Sequence, residues 1–575
     1  MIRVFGYLAW RSAYNRLARQ IRHLRSPRYV AALVFGVVYL WFMVIAQRPS
    51  STSGTIADGR WVELVGAIAL LGTVAWGWIF GVERRVLRFT PAEVTFLFSA
   101  PVSRRGLIQF KLLHSQLFIL FNALLWTLIL SRERFGVSPW LRVVSIWVLL
   151  TTLSFHRLGA SFVRTSLAQH GRLGVRHRVV SLAVLGVVLV ALTWSIADAL
   201  PRLAERTDSG PFAFLPALGE AAAQPIPAAL TFPFRLMVRP LVATDFGEWV
   251  RTLWPALVLM LLHYVWVVRS DTAFEEAAAA VSLQRAQALA ERKAGRGAPT
   301  HAPVRVTPPL IRLAPSGWPA GAILWKNLVA VARTRQLRKV GLSLVLCSAI
   351  VTVLSFQPEG MMAAIAGWFA ITWAGAMTVI GPQWVRNDLR GDLLKLDLLR
   401  SYPLRGWSVV AAEVTASAMV VTVIQLSLLV IGYLAFLGDE FMQPDLPERT
   451  LLLLAAVVFL PAINLLGMLI QNGAALLFPA WVHLGSGRPG GVEALGQNLL
   501  MMIAFIALLS VLLLLPAVIG GGAFLLLRGA VNDWAALPAT VLILGTMAFE
   551  AALLVEWLGR TFERIDPATA GIPEL

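Results

Sequence analysis

Twelve apolar runs, most of them close to twenty residues long, punctuate this chain, and nothing else in it constrains the fold as strongly. A helix rises about 1.5 Å per residue, so about 20 apolar residues match the hydrocarbon thickness of a bilayer. In lipid every backbone polar group must be satisfied inside the segment, which makes each run a helix. The runs lie at about 29–46, 62–82, 107–130, 141–163, 179–200 and 252–268, then 340–356, 361–382, 407–437, 451–470, 499–527 and 537–558. The expected fold class is an all-α integral membrane protein of about 12 transmembrane helices. Only 14% of the 575 residues are charged, against about 25% in a soluble domain.

The charge that remains is lopsided. The formal net charge is +19, nearly all from arginine, and it concentrates in 1–28, 83–106, 164–178 and the segment after Arg269. Basic loops stay on the cytoplasmic side, held against anionic lipid. That places both termini in the cytoplasm of a multi-pass protein of the cell (inner) membrane, with Arg132 and Arg134 as exceptions. No nucleic-acid-binding motif accompanies the charge, so membrane lipids rather than nucleic acid are the expected partners. In the N-terminal stretch Phe5, Leu8, Tyr14, Leu17, Ile21 and Leu24 recur at helical spacing among arginines. This reads as an interfacial amphipathic helix, not a signal peptide. The single cysteine, Cys347, allows no disulfide and no thiolate metal site within the chain; its expected role is a small buried apolar residue.

One polar stretch occurs twice. RRVLRFTPAEVTFLFSAPVSRRG (84–106) separates the second and third runs, and RNDLRGDLLKLDLLRSYP (386–403) repeats its pattern. Arg84 matches Arg386, Leu87 matches Leu389, and Arg88 matches Arg390. Leu97 matches Leu399, Ser99 matches Ser401, and Pro101 matches Pro403. Trp318 to Lys339 is again basic and amphipathic, its LWKN resembling LAWRS at Leu8 to Ser12. The repeat divides the chain into a first six-span unit (1–269), a cytoplasmic helical and linker segment (270–317) and a second six-span unit (318–575). The Pro- and Phe-rich stretch 201–250 reads as a long loop.

Catalytic signatures are missing. There is no GxxxxGK[ST], HExxH, paired-cysteine or GxSxG element, and GSGRPGG at 485–491 lacks the P-loop lysine and reads as a turn. No catalytic residue, metal site or cofactor is expected in the chain. Ionisable groups in or near the runs are candidates by position: Lys111, His114, His156, His263, Glu413 and Glu550. Lys111 and Glu413 sit near the cytoplasmic ends of their runs, where snorkelling is cheap. Aligned without a gap, the two are equivalent positions of opposite charge and could pair across the halves; a gap aligning Arg105-Gly106 with Arg405-Gly406 removes the equivalence. His156 and His263 read as satisfied bundle-interior groups rather than a proton relay, and Asn464 as an interhelical hydrogen bonder.

FLFSAPVSRRGLIQFKLL (96–113) and LDLLRSYPLRGWSVVAAEV (396–414) resemble the loop between spans two and three of ABC-2-type transporter permeases. The interfacial helices resemble that family's elbow helices, and LLFPAWVHLGSGRPGGVEALGQNLL (476–500) is similar to a stretch of the bacterial ABC exporter group. The resemblance implies two fused six-helix permease units, a pseudo-dimer, that export a substrate with energy from separate cytoplasmic ABC ATPase subunits. ATP-Mg would then be bound by the partner. It also implies two coupling helices for those ATPases, near 93–105 and 393–405. The first would use Glu93, Phe96, Leu97, Phe98, Pro101, Arg104 and Arg105. The second would use Leu394, Leu398, Leu399, Arg400, Pro403 and Arg405. An ordinary loop helix gripping lipid headgroups is the plainer reading of the same residues. As an alternative function, twelve spans with a central linker also fit a major-facilitator-type secondary transporter driven by an ion gradient. The loop of about 24 residues between spans two and three, without a Gly-Asp-Arg-type motif, stands against it.

Overall fold

The computed structural model describes residues 59–80, 104–130, 138–169, 224–269, 316–333, 335–355, 361–393, 396–437, 445–479 and 495–565, with a few single positions besides. These residues are mostly helical, and no strand occurs among them. In chain order the helices are α1 (Gly59–Phe80), α2 (Arg104–Leu130), α3 (Pro139–Gln169), α4 (Pro225–Val242), α5 (Phe246–Arg269), α6 (Gly321–Arg333), α7 (Arg335–Ser355), α8 (Met361–Trp384), α9 (Leu389–Asp392), α10 (Leu396–Ser401), α11 (Gly406–Ala435), α12 (Leu446–Leu477), α13 (Leu495–Val531) and α14 (Ala536–Arg564). Among the described residues, 6 segments are long and apolar enough to cross a membrane. The last, Leu499–Arg564, holds α13 and α14 joined by a 3₁₀ turn at Asn532–Ala535. The first and fifth apolar runs lie outside the described residues, apart from single positions.

The chain divides into two compact units, 1–303 with 490–498 and 304–489 with 499–575. In the first, α2 packs on α3 through Ile119 and Ala123 against Val143, Ile146 and Leu150. Toward the other end of α3, Phe155, Leu158 and Phe162 close on Ile108, Phe110 and Val267.

The stretch 201–250 is not simply a loop. It contains α4, of 18 residues, and the start of α5. Its prolines suggested loop structure, but they sit where a helix tolerates them or where packing overrides them. Pro225 opens the helix, where the missing N–H costs nothing. Pro233 and Pro240 fall inside it. The compensation is tertiary. Val238 packs against Gly66 of α1, and Glu63 Oε1 accepts from Arg235 Nε at 2.7 Å and from Arg239 Nε at 3.1 Å.

In the second unit α11 is the central helix. It touches α8 along its length, at places so close that a Cβ on Gly432 would stand 2.7 Å from Ile371. Small residues allow such approach where packing, rather than water exclusion, holds helices together. The core joins Val409, Val410 and Val414 of α11 to Leu466, Leu469 and Leu476 of α12, Phe505 and Leu509 of α13, and Met547, Leu558 and Phe562 of α14. Cys347 is exposed on α7, contrary to the expected burial. In a chain whose solvent is lipid, an apolar run carries no signal of which side faces inward.

Candidate functional site

The second copy of the repeated stretch runs from the end of α8 to the start of α11. Four of its leucines, Leu389, Leu393, Leu396 and Leu399, recur at intervals of three or four and are buried in the core of the second unit. That spacing keeps them on one side of the short helices α9 and α10. α10 then stops two residues short of Pro403, which disfavours the helical conformation before it.

Two arginines of the stretch fasten it to helix ends. A helix leaves its last carbonyls without partners and carries partial negative charge there. Arg390, 2% exposed, donates through Nη1 to Pro382 O and through Nη2 to Val385 O, both at 2.6 Å, and so covers the end of α8. Its charge is matched by Asp388, whose Oδ1 accepts from Arg390 Nε at 2.9 Å and whose Oδ2 accepts from Nη2 at 2.6 Å. Asp388 also caps α9 by accepting from Arg390 N, and it accepts from Asn472 Nδ2 of α12 at 3.1 Å. Arg400 plays the equivalent part at the other end of the stretch. Its Nη2 donates to the carbonyls of Phe562, Glu563 and Ile565 at the end of α14. In return, Glu563 Oε1 accepts from the backbone N–H of Gly406 at 2.7 Å, at the opening of α11.

A second set of polar groups binds α6 to the same place. Glu413 of α11 is fully buried and does not snorkel as its position near a span end suggested. Its Oε2 accepts from Asn327 Nδ2 at 2.6 Å and its Oε1 from Lys326 Nζ at 3.4 Å. Both oxygens are thus engaged inside the second unit, whereas Lys111, half-buried on α2, belongs to the first. Lys326 also donates to Asp392. Burial pulls the Lys326 ammonium down, but the Glu413 carboxylate and the bonded Asp392 outweigh it and hold the group above the ordinary lysine value. Asn387 Nδ2 donates to Asn327 O at 2.7 Å, and Asn387 O accepts from Ser417.

What the stretch leaves outside is small. Leu398 is 54% exposed, and Tyr402, Pro403 and Arg405 are exposed beside it. Leu399 faces inward. Arg400 is exposed as a residue while its guanidinium is spent on α14. Glu93, Phe96, Leu97, Phe98, Pro101 and Leu394 lie outside the described residues, and Arg104 and Arg105 form the first turn of α2. Lys326, Asn327, Asp388 and Asn472 were not singled out in the sequence. The available signal was polarity out of place: an asparagine deep in the apolar α12 demands a partner.

In the first unit His263 Nδ1 lies 2.8 Å from Leu259 O, His156 Nδ1 3.2 Å from His263 Nε2, and Trp78 Nε1 donates to His156 Nε2 at 3.0 Å. The chain of donors and acceptors closes with both rings neutral, in the tautomers carrying the proton on Nδ1. It ties α1, α3 and α5 together, the part of satisfied interior groups. Asn464 donates to Thr422 and Gln425 of α11.

A family model described as "Putative ABC exporter" matches residues 2–560. No curated protein matches the chain.

Proposed function

The chain belongs to the family described as Putative ABC exporter, and on that premise we propose that it exports a substrate using ATP hydrolysed by a separate subunit. It is the membrane component of an ABC transporter. The finer reading is of two fused ABC-2-type units of six spans each, each preceded by an elbow helix, with both termini cytoplasmic. The ATPase docks on the segments near 93–105 and 393–405. The chain itself lacks the phosphate-cradling loop that hydrolysis would need.

One observation carries the docking reading: α10 has an anchored side and an open side. Leu396 and Leu399 fix it in the core, while Leu398, Tyr402, Pro403 and Arg405 remain available to a partner. An element that must receive force needs both. A loop helix resting on headgroups needs no arginine clamps onto the ends of α8 and α14.

The test is co-purification of the full chain with a cognate ABC ATPase, followed by nucleotide-dependent transport in proteoliposomes. Leu398→Asp and Phe96→Asp are expected to lower ATPase retention and transport together, in a chain that still elutes as a folded species. Retention and transport left intact in both variants would overturn the docking reading.

A further inference from the structure

Glu550 stands at the midpoint of α14, inside the longest apolar segment of the described chain. A carboxylate at that depth is costly unless donors or a cation meet it. Glu63 and Glu413 are met, by Arg235 and Arg239 and by Asn327 and Lys326. Glu550 differs. Its Oε2 is buried and has no hydrogen-bond partner among the described residues. One turn away, Thr546 donates its hydroxyl to Leu542 O. Arg560 on the same helix is paired with Glu556 and lies about 15 Å along the axis. α14 packs against α11 and α12. α11 contains no lysine or arginine, and Arg449 of α12 donates to Phe436 O.

The surface beside Glu550 is apolar and aromatic. Phe549, Leu553 and Trp557 are exposed, and helical spacing puts Leu553 and Trp557 on the side of α14 that carries Glu550. A carboxyl group with no hydrogen-bond partner for its buried oxygen among the described residues, with Leu553 and Trp557 along the same side of the helix, is complementary to one kind of guest, a cation whose charge keeps the group ionised. We propose that this face of α14 binds amphipathic organic cations, such as quaternary ammonium or phosphonium compounds. The carboxylate supplies the counter-charge, and Leu553 and the face of Trp557 receive the apolar body. The inference names a substrate class and rests on the exporter reading for its biological meaning.

Binding is testable without that reading. The full chain in nanodiscs of zwitterionic lipid, with neither nucleotide nor ATPase, is dialysed against radiolabelled tetraphenylphosphonium. Saturable binding is expected, weakened at least about tenfold by Glu550→Gln and by a smaller factor by Trp557→Ala. Glu550→Asp keeps it. Uncharged triphenylphosphine oxide competes poorly. The proposal is overturned by equal affinity in Glu550→Gln, by equal competition from the uncharged compound, or by uptake that does not saturate because lipid or another helix covers the face. If Glu550→Gln does not fold, unchanged binding in Trp557→Ala overturns it instead. Loss of ATPase docking in Leu398→Asp leaves this binding unchanged, so the two readings fail separately.

Discussion

Arg390 shows how one residue can decide whether a polar loop is rigid. It is almost wholly buried, and four of its donor contacts are short: two to the Asp388 carboxylate and two to carbonyls at the end of α8. A buried pair of this kind contributes little over a well-packed apolar substitute, but breaking one half leaves the other charge stranded. Arg390→Met is therefore expected to destabilise the chain by about 3–5 kcal/mol, because Asp388 keeps only Asn472 and backbone partners. Thermal unfolding in detergent checks this. Restoring much of the loss by adding Asp388→Asn would show that the stranded carboxylate is the cause. Lys326 is a milder case. It is exposed at its tip, and Asn327 holds the buried Glu413 beside it, so its removal costs less.

At the scale of elements, the beginning of α11 and the end of α14 meet backbone to backbone. A Cβ on Gly559 would collide with the main chain of Trp407, and one on Gly406 with Gly559 O. Backbone cannot rotate out of the way as a side chain can, so the crossing requires glycine on both helices. Gly559→Val is expected to cost about 1–3 kcal/mol or more through forced separation of the two helices. It should also loosen the Glu563 bond to the Gly406 N–H, read as faster hydrogen exchange at the first turn of α11. α4 teaches the complementary lesson. Its prolines argue against a helix, and it forms because α1 offers Glu63 to two arginines one turn apart and Gly66 to Val238.

For the whole molecule, the clamps on α9 and α10 connect the surface open to a partner with α8, α11, α12 and α14. Under the proposed docking, a push on Leu398 would move these helices only while the clamps hold. Arg400→Ala removes the tie to the end of α14 and leaves the outward surface of α10 untouched. The expected result is uncoupling: ATPase retention stays near wild type, while transport per ATP hydrolysed falls, with Arg400→Lys in between. A fall in retention equal to the fall in transport would instead make Arg400 a docking contact.

Length and apolarity, which lipid as a solvent reads directly, fixed where helices such as α2, α3, α11 and α12 lie. The sequence alone also determined the place of the polar stretch between two apolar runs and the lack of a nucleotide-binding loop. It did not determine direction. Leu398 and Leu399 are adjacent identical letters, yet one is exposed and the other is in the core. Glu413 and Glu550 are both carboxylates in apolar helices, yet one is met by two donors and the other has a buried oxygen with none among the described residues. Those differences arise from which neighbouring helix supplies a partner, and partners come from residues tens to hundreds of positions away. Only the tertiary structure brings Asn327 to Glu413, Asn472 to Asp388 and the end of α14 to Arg400, because each contact depends on where whole helices pack.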